Sequence, residues 1–205
     1  MKALVWTKSN NSFDLLDKAE PQILCDDQVK IKILEVGVCG TDRDEVHAGR
    51  GQPPKGEDQL IIGHEMLGRV VEVGHLVTKV KPGDLAIFTV RRGCGQCPAC
   101  DYGSYDMCYT GKYTERGIKE RHGFQSEFVV DRQKYLVKVP EELKEAAVLC
   151  EPTSIVEKAI DLAGRIQRMR LPDWGAEDEQ VFRGRRVLVA GVGAHWTARL
   201  NGVYP

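Results

Sequence analysis

Through the first two-thirds of the chain, apolar and polar positions alternate over short stretches. Residues 28–36 read QVKIKILEV, with Val29, Ile31, Ile33 and Val36 set against Lys30 and Lys32. That period of two predicts a half-buried strand. Further strands are expected over residues 3–6 (ALVW), 69–73, 85–90, 125–130 and 135–139. Turn signals lie between them: Gly37 and Gly40 around Cys39, the loop 49–59 (GRGQPPKGEDQ), and Lys81-Pro82-Gly83-Asp84. Many short strands with frequent Gly/Pro turns predict an irregular β-barrel. The pattern changes after Pro140. Residues 141–149 read as a short helix. Ser154 and Glu157 stand at capping-box spacing, and Ile155, Val156, Ala159, Ile160, Ala163 and Ile166 recur at helical spacing until Pro172. Residues 171–186 are charged and read as a linker. Residues 187–190 read as a short apolar strand running into Gly191-Val192-Gly193. No internal repeat is visible.

Composition narrows the class. The chain has 205 residues, 42% hydrophobic and 29% charged, ordinary values for a globular protein. No apolar run is long enough to span a bilayer, and the start MKALVWTKSNN lacks the apolar core of a signal peptide. A cytoplasmic location is therefore expected, with no membrane partner. In that compartment seven cysteines read as metal ligands or reduced thiols. A formal net charge of −1 carries no electrostatic footprint for nucleic acid.

The chemistry-bearing stretch is residues 94–108, CGQCPACDYGSYDMC, which places Cys94, Cys97, Cys100 and Cys108 at C-x2-C-x2-C-x7-C. Four thiolates close a tetrahedral shell around Zn²⁺ and leave no position for substrate. Such a lobe serves a nucleic-acid knuckle, an interaction platform or the brace of an enzyme. Cys39 and His64 each follow a predicted strand, and Glu65 adjoins His64. A catalytic zinc uses about three protein ligands and keeps one position open. Glu151, in Cys150-Glu151-Pro152, is a further oxygen donor near the start of the long helix. His64 and Glu65 are consecutive, however, and neighbours in an extended chain point to opposite faces. Both can serve only if the backbone bends there.

The wording around these residues is specific. Gly63-His64-Glu65 with Gly68, Gly74 and Val77 gives G-H-E-x2-G-x5-G-x2-V. Together with Gly37-Val38-Cys39-Gly40-Thr41-Asp42 and the four-cysteine lobe, it resembles the zinc-dependent medium-chain dehydrogenases. Val90-Arg91-Arg92-Gly93-Cys94, Gly117-Ile118, His122-Gly123-Phe124 and Val156-Glu157-Lys158-Ala159 resemble the glucose 1-dehydrogenases of archaea and some bacteria. The resemblance implies a mainly β fold with helices. It implies a GroES-like catalytic domain over 1–180, followed at 181–205 by the first strand of a truncated dinucleotide-binding (Rossmann) domain. It also implies oxidation of an aldose at C1 to its lactone, with NAD(P)⁺ as hydride acceptor, and a homo-oligomer in the complete enzyme. Carried over by position, Cys39, His64, Glu65 and Glu151 hold a catalytic zinc, and Cys94, Cys97, Cys100 and Cys108 a structural one. Thr41 becomes a proton relay and sugar contact, Glu115 and Glu151 sugar contacts, and Gly191 and Gly193 the cofactor turn.

Two departures follow. Asp44 stands where many alcohol dehydrogenases of this family place a relay histidine. After Gly191-Val192-Gly193-Ala194, His195-Trp196 replace the expected continuation, and the third glycine of the fingerprint is missing. The chain thus reads as the catalytic half of a dehydrogenase, cut short or read out of frame near residue 194 and unable to oxidise sugars alone. A non-catalytic, zinc-stabilised partner-binding module is the alternative.

Overall fold

The strand expected over residues 28–36 is the spine of the architecture. This computed structural model describes residues 1–47, 49–171 and 186. The chain runs β1 (Lys2–Thr7), β2 (Ser12–Asp17), β3 (Gln28–Gly37), α1 (Gly40–His47), β4 (Gln59–Ile61), β5 (Glu65–Val73) and β6 (Leu85–Phe88). It continues through β7 (Arg91–Arg92), α2 (Pro98–Asp101), β8 (Thr114–Arg116), β9 (Glu120–Arg121), β10 (Phe128–Arg132) and β11 (Leu136–Val139). A 3-10 run, Glu141–Leu149, stands where a short helix is expected, and α3 (Cys150–Arg170) follows. The expected strand at 187–190, Gly191 and Gly193 lie outside the described residues. Two compact units divide the chain, Met1–Val148 and Leu149–Pro205.

In the first unit the strands form three sheets: β2-β1-β4, the antiparallel β10-β3-β5-β6-β11, and the small β7-β8-β9. Central β5 shows why its sequence does not alternate. Met66 and Val70 face one core cluster with Ile31, Phe88 and Phe124, while Leu67 faces a second with Leu85, Val139 and Ala147. A strand covered on both faces reads as a continuous apolar run. Each fully buried side chain of this size contributes roughly 1.5–3 kcal/mol.

Lys30 departs from the expected alternation. Register shifts at Lys30/Ile31 and Ile33/Glu35 disturb the pleat of β3. Lys30 is buried, its ammonium 2.6 Å from Glu20 and 5.5 Å from the Phe128 ring centroid. Burial of that charge is tolerated because it is paired.

The second unit begins with α3, which starts before the expected capping box. Pro152 lies in its first turn, where a missing N–H costs nothing. The Ser154 hydroxyl donates to the Glu151 carbonyl (2.7 Å), so Ser154 is inside the helix and does not cap it. Val156 is buried, whereas Ile155 and Ile166 of the expected stripe are exposed. No helix among the described residues is long and apolar enough to cross a membrane.

Candidate functional site

The register of β3 against β5 builds the first site. Their ladder ends at the pair Gly37↔Glu65, so the chain leaving β3 toward Cys39 lies beside the chain entering β5 from His64. The ligand atoms of Cys39, His64 and Glu65 all lie within 4.8 Å of one another. Gly63 supplies the bend that consecutive ligands require, with φ at +88°, a region open to glycine. Gly37 supplies the room, since a Cβ there would collide with the Glu65 carboxylate. Gly37 and Gly63 thus have steric reasons to be glycine.

Asp42 ties the cluster together. It sits in the first turn of α1, and its Oδ2 accepts the Cys39 N–H (2.7 Å), the backward arm of a capping box. Its Oδ1 lies 3.3 Å from His64 Nδ1, and both side chains are buried. An imidazole oriented through Nδ1 by a carboxylate offers Nε2 as its ligand atom. The Thr41 hydroxyl is 3.7 Å from Cys39 Sγ, so the expected relay stands at the edge of the cluster.

The donor set fits a cation. Asp42 and Glu65 are buried carboxylates, and neither pairs with a lysine or arginine among the described residues. Asp42 Oδ1 makes no hydrogen bond among them. Buried charge of one sign is costly until something of the other sign compensates it. Sulfur, imidazole and carboxylate together suit Zn²⁺.

The second site is local. The ligand atoms of Cys94, Cys97, Cys100 and Cys108 also lie within 4.8 Å of one another, and all seven cysteines are free thiols. Cys97 precedes α2, whose first residue is Pro98, and the Cys94 N–H points at Cys100 Sγ (3.4 Å) while the Gln96 N–H points at Cys94 Sγ (3.3 Å). The Thr110 hydroxyl, 3.3 Å from Cys108 Sγ, holds that thiol down at about 6. Burial pushes Cys100 up to about 12. Cys108 is thus the more acidic of these two thiols.

Glu115 lies elsewhere, on β8. Arg91, opposite it on β7, donates from Nε (2.9 Å) and from Nη2 to the same Oε1. The Arg91 guanidinium rests 4.6 Å from the Tyr113 ring centroid, and the Lys119 ammonium 3.9 Å from it. The strand continues into Gly117, whose Cα side abuts the Gly63 backbone just before His64. Glu115 thus stands as a held, half-buried carboxylate on a strand packed against the metal loop. Glu151 is in the first turn of α3, in the second unit.

Two features were not singled out from the sequence, and the first has no clear signal there. Asp131, on β10, receives Arg92 from β7 and Arg116 from β8 on one carboxylate oxygen: Arg92 Nε at 3.1 Å and Nη2 at 2.8 Å, and Arg116 Nε at 3.0 Å and Nη2. This buried triad joins the small sheet to the central one. Burial alone would raise the Asp131 carboxyl, but Arg116 and Arg92 hold it down at about 2. Burial also lowers Arg116 to about 10. Asp42 was the more legible of the missed residues: an acid three residues beyond Cys39 at a helix start is a capping signal.

Residues 25–141 match the alcohol dehydrogenase GroES-like domain family, more than half of the chain. The chain belongs to that family. Among its relatives, the glucose 1-dehydrogenase of Methanocella arvoryzae is 47% identical over 168 residues, covering 81% of this chain and 44% of its own length. Glucose 1-dehydrogenase 1 of Vulcanisaeta moutnovskia is 46% identical over 166 residues, with the same coverage. In structure, the chain resembles the Haloferax mediterranei glucose dehydrogenase solved in complex with NADP, Zn and gluconolactone. That match has a TM-score of 0.76 and 36% identity, covering 85% of this chain and 48% of the other. This GroES-like chain spans about half the length of the curated relatives it matches.

Proposed function

We propose that this chain carries the metal and sugar side of a zinc-dependent oxidoreductase of the glucose 1-dehydrogenase type. The observation that carries the reading is the convergence of Cys39, His64 and Glu65 at the end of the β3–β5 ladder, in a chain that also holds the four-cysteine cluster. Relatives named for glucose oxidation, at up to 47% identity, support the substrate class. Residues 1–180 then form the catalytic domain, and 181–205 begin the dinucleotide-binding part, with Gly191 and Gly193 in the turn that receives NAD(P)⁺.

Cys39, His64 and Glu65 would hold one zinc, and Cys94, Cys97, Cys100 and Cys108 the other. Bound at the first cluster, zinc would supply Lewis acidity that eases deprotonation of a sugar hydroxyl. Asp42 places a carboxylate oxygen 3.3 Å from His64 Nδ1 and fixes the Cys39 turn. The Thr41 hydroxyl receives the departing proton at Oγ1 and passes it outward, since its side chain is exposed. Glu115 accepts a sugar hydroxyl with the oxygen that Arg91 leaves unused. The exposed surface and absence of a spanning helix among the described residues suit a cytoplasmic enzyme, and the family resemblance suggests a homo-oligomer.

The test is cobalt substitution. Two metal ions per chain are expected by elemental analysis, one of which disappears in Cys39→Ala. Glucose added to the cobalt-loaded chain should shift the absorption of the Cys39 cluster and leave that of the four-cysteine cluster unchanged. A spectrum indifferent to glucose and to related aldoses overturns the sugar assignment.

A further inference from the structure

His122 is used twice, by both ring nitrogens. Its Nδ1 lies 3.2 Å from the Ile61 N–H and accepts from it. An Nδ1 that accepts carries no proton, so the ring proton is on Nε2, which faces Glu57 Oε2 at 3.1 Å. Ile61 ends β4 and leads directly into the bend at Gly63 and the ligand His64. Neighbouring backbone completes a zip: Gly123 N–H donates to Ile61 O (2.6 Å), Gln125 N–H to Ile62 O (2.9 Å) and Phe124 N–H to Gly63 O (2.9 Å). The His122 ring substitutes for a backbone carbonyl at the first position of that zip. Glu57, its other partner, belongs to the loop 49–57. That loop lines a cleft of about 760 Å³ with Lys8 and Glu120.

We propose that His122 is a positioning residue that latches the cleft loop to the strand leading into His64, and that protonation of its ring releases the strand end of the latch. A proton added at Nδ1 puts a donor against the Ile61 N–H, which then has no acceptor. The Nε2–H contact to Glu57 persists, now with an imidazolium. The latch thus changes from a bridge to a loop-only ion pair. Every charged group facing the ring bears on this. Glu57 on the loop favours the imidazolium, while Lys18 after β2 and Arg116 on β8 oppose it. Arg116 also donates from Nη1 to the His122 carbonyl (3.0 Å), fixing the backbone from which the ring projects. Burial is the largest influence and holds the imidazole below its usual range, so the bridge is the neutral-pH state.

The test is a pH titration of the isotopically labelled chain by NMR, following the His122 ring nitrogens and the Ile61 and Glu57 amides. At high pH the ring should be the Nε2–H tautomer. As the ring protonates, the Ile61 amide should shift with the same midpoint, and its protection from hydrogen exchange should fall about tenfold, the size of one lost hydrogen bond. His122→Gln offers a carbonyl to Ile61 and an N–H to Glu57 without titrating, so it should keep Ile61 protected and abolish the pH response. Should that variant fail to fold, Glu57→Gln removes the one group favouring the imidazolium and must move the shared midpoint to lower pH. An Nδ1–H ring at high pH, an Ile61 amide indifferent to the titration, or an unaltered response in either variant overturns the latch. No metal ion takes part, so these outcomes stand apart from those of the cobalt experiment.

Discussion

Replacing Asp131 by Asn removes one charge from between two guanidiniums and leaves the shape almost unchanged. In the native chain the Asp131 Oδ2 takes both arginines, and Oδ1 accepts the Arg132 N–H at 2.8 Å. Arg92 and Arg116 are both buried, and this carboxylate is the counter-charge that each faces. An asparagine can keep one oxygen acceptor but turns two donors into the same space. Breaking a buried pair by removing one partner costs about 3–5 kcal/mol. The native carboxyl gives a second measure. Held at about 2 against an ordinary 3.8, it stabilises the folded chain by roughly 2 kcal/mol when ionised. The sign follows from the depressed value: this stabilisation is complete above the unfolded pKa and is lost as pH falls through about 2. The assay is urea unfolding followed by circular dichroism, native against Asp131→Asn, at neutral pH and stepwise down the acid range. The variant should be weaker by about 2–5 kcal/mol at neutral pH. The gap should narrow as the native carboxyl protonates, while metal loss affects both proteins alike. A gap below about 1 kcal/mol, the size of an ordinary surface change, or one that stays constant into acid, would refute the account.

Other outcomes follow from the two clusters. Cys108→Ser should remove one zinc by elemental analysis and lower the melting temperature, because a structural metal contributes folding free energy directly. Asp42→Ala should weaken metal at the Cys39 cluster by about 10–100-fold in a chelator competition, the usual effect of losing a ligand's orienting partner, with the four-cysteine metal retained. Gly37→Ala should do the same through collision with Glu65, and a variant with native metal affinity would show that the carboxylate is no ligand. Arg91→Ala should release Glu115 and weaken the glucose-induced cobalt shift without changing metal content.

Much of this was legible because metal ligands carry local grammar. The four cysteines announce their site within one stretch of chain, and Gly63-His64-Glu65 marks the other. The strand at Gln28–Gly37 shows its period in the residues Val29, Lys30, Ile31, Lys32 and Ile33. What stayed hidden depends on partners far away in sequence. Lys30 alternates as a surface residue, yet Glu20 and Phe128 draw it inward. Glu115 reads as a charge in a polar run, and only the pairing of β7 with β8 gives it Arg91. The start of α3 was misplaced because Ser154 and Glu157 imitate a cap, while the true start has none from a side chain. Nothing in the run of residues 128–132 announces that Asp131 will be enclosed by two arginines.

The Gly37↔Glu65 end of the β3–β5 ladder has a consequence for the order in which the molecule assembles. The four cysteines can meet a metal while the chain is still unfolded, since closing so short a loop costs little entropy. Cys39 and His64 are brought together by tertiary structure, at the end of the ladder between β3 and β5. The knuckle can therefore be filled as soon as it leaves the ribosome, whereas the Cys39 cluster stays without ligand geometry until the central sheet has closed. Metal at that cluster acts as an inspector of finished molecules, occupying only chains whose core is already in register.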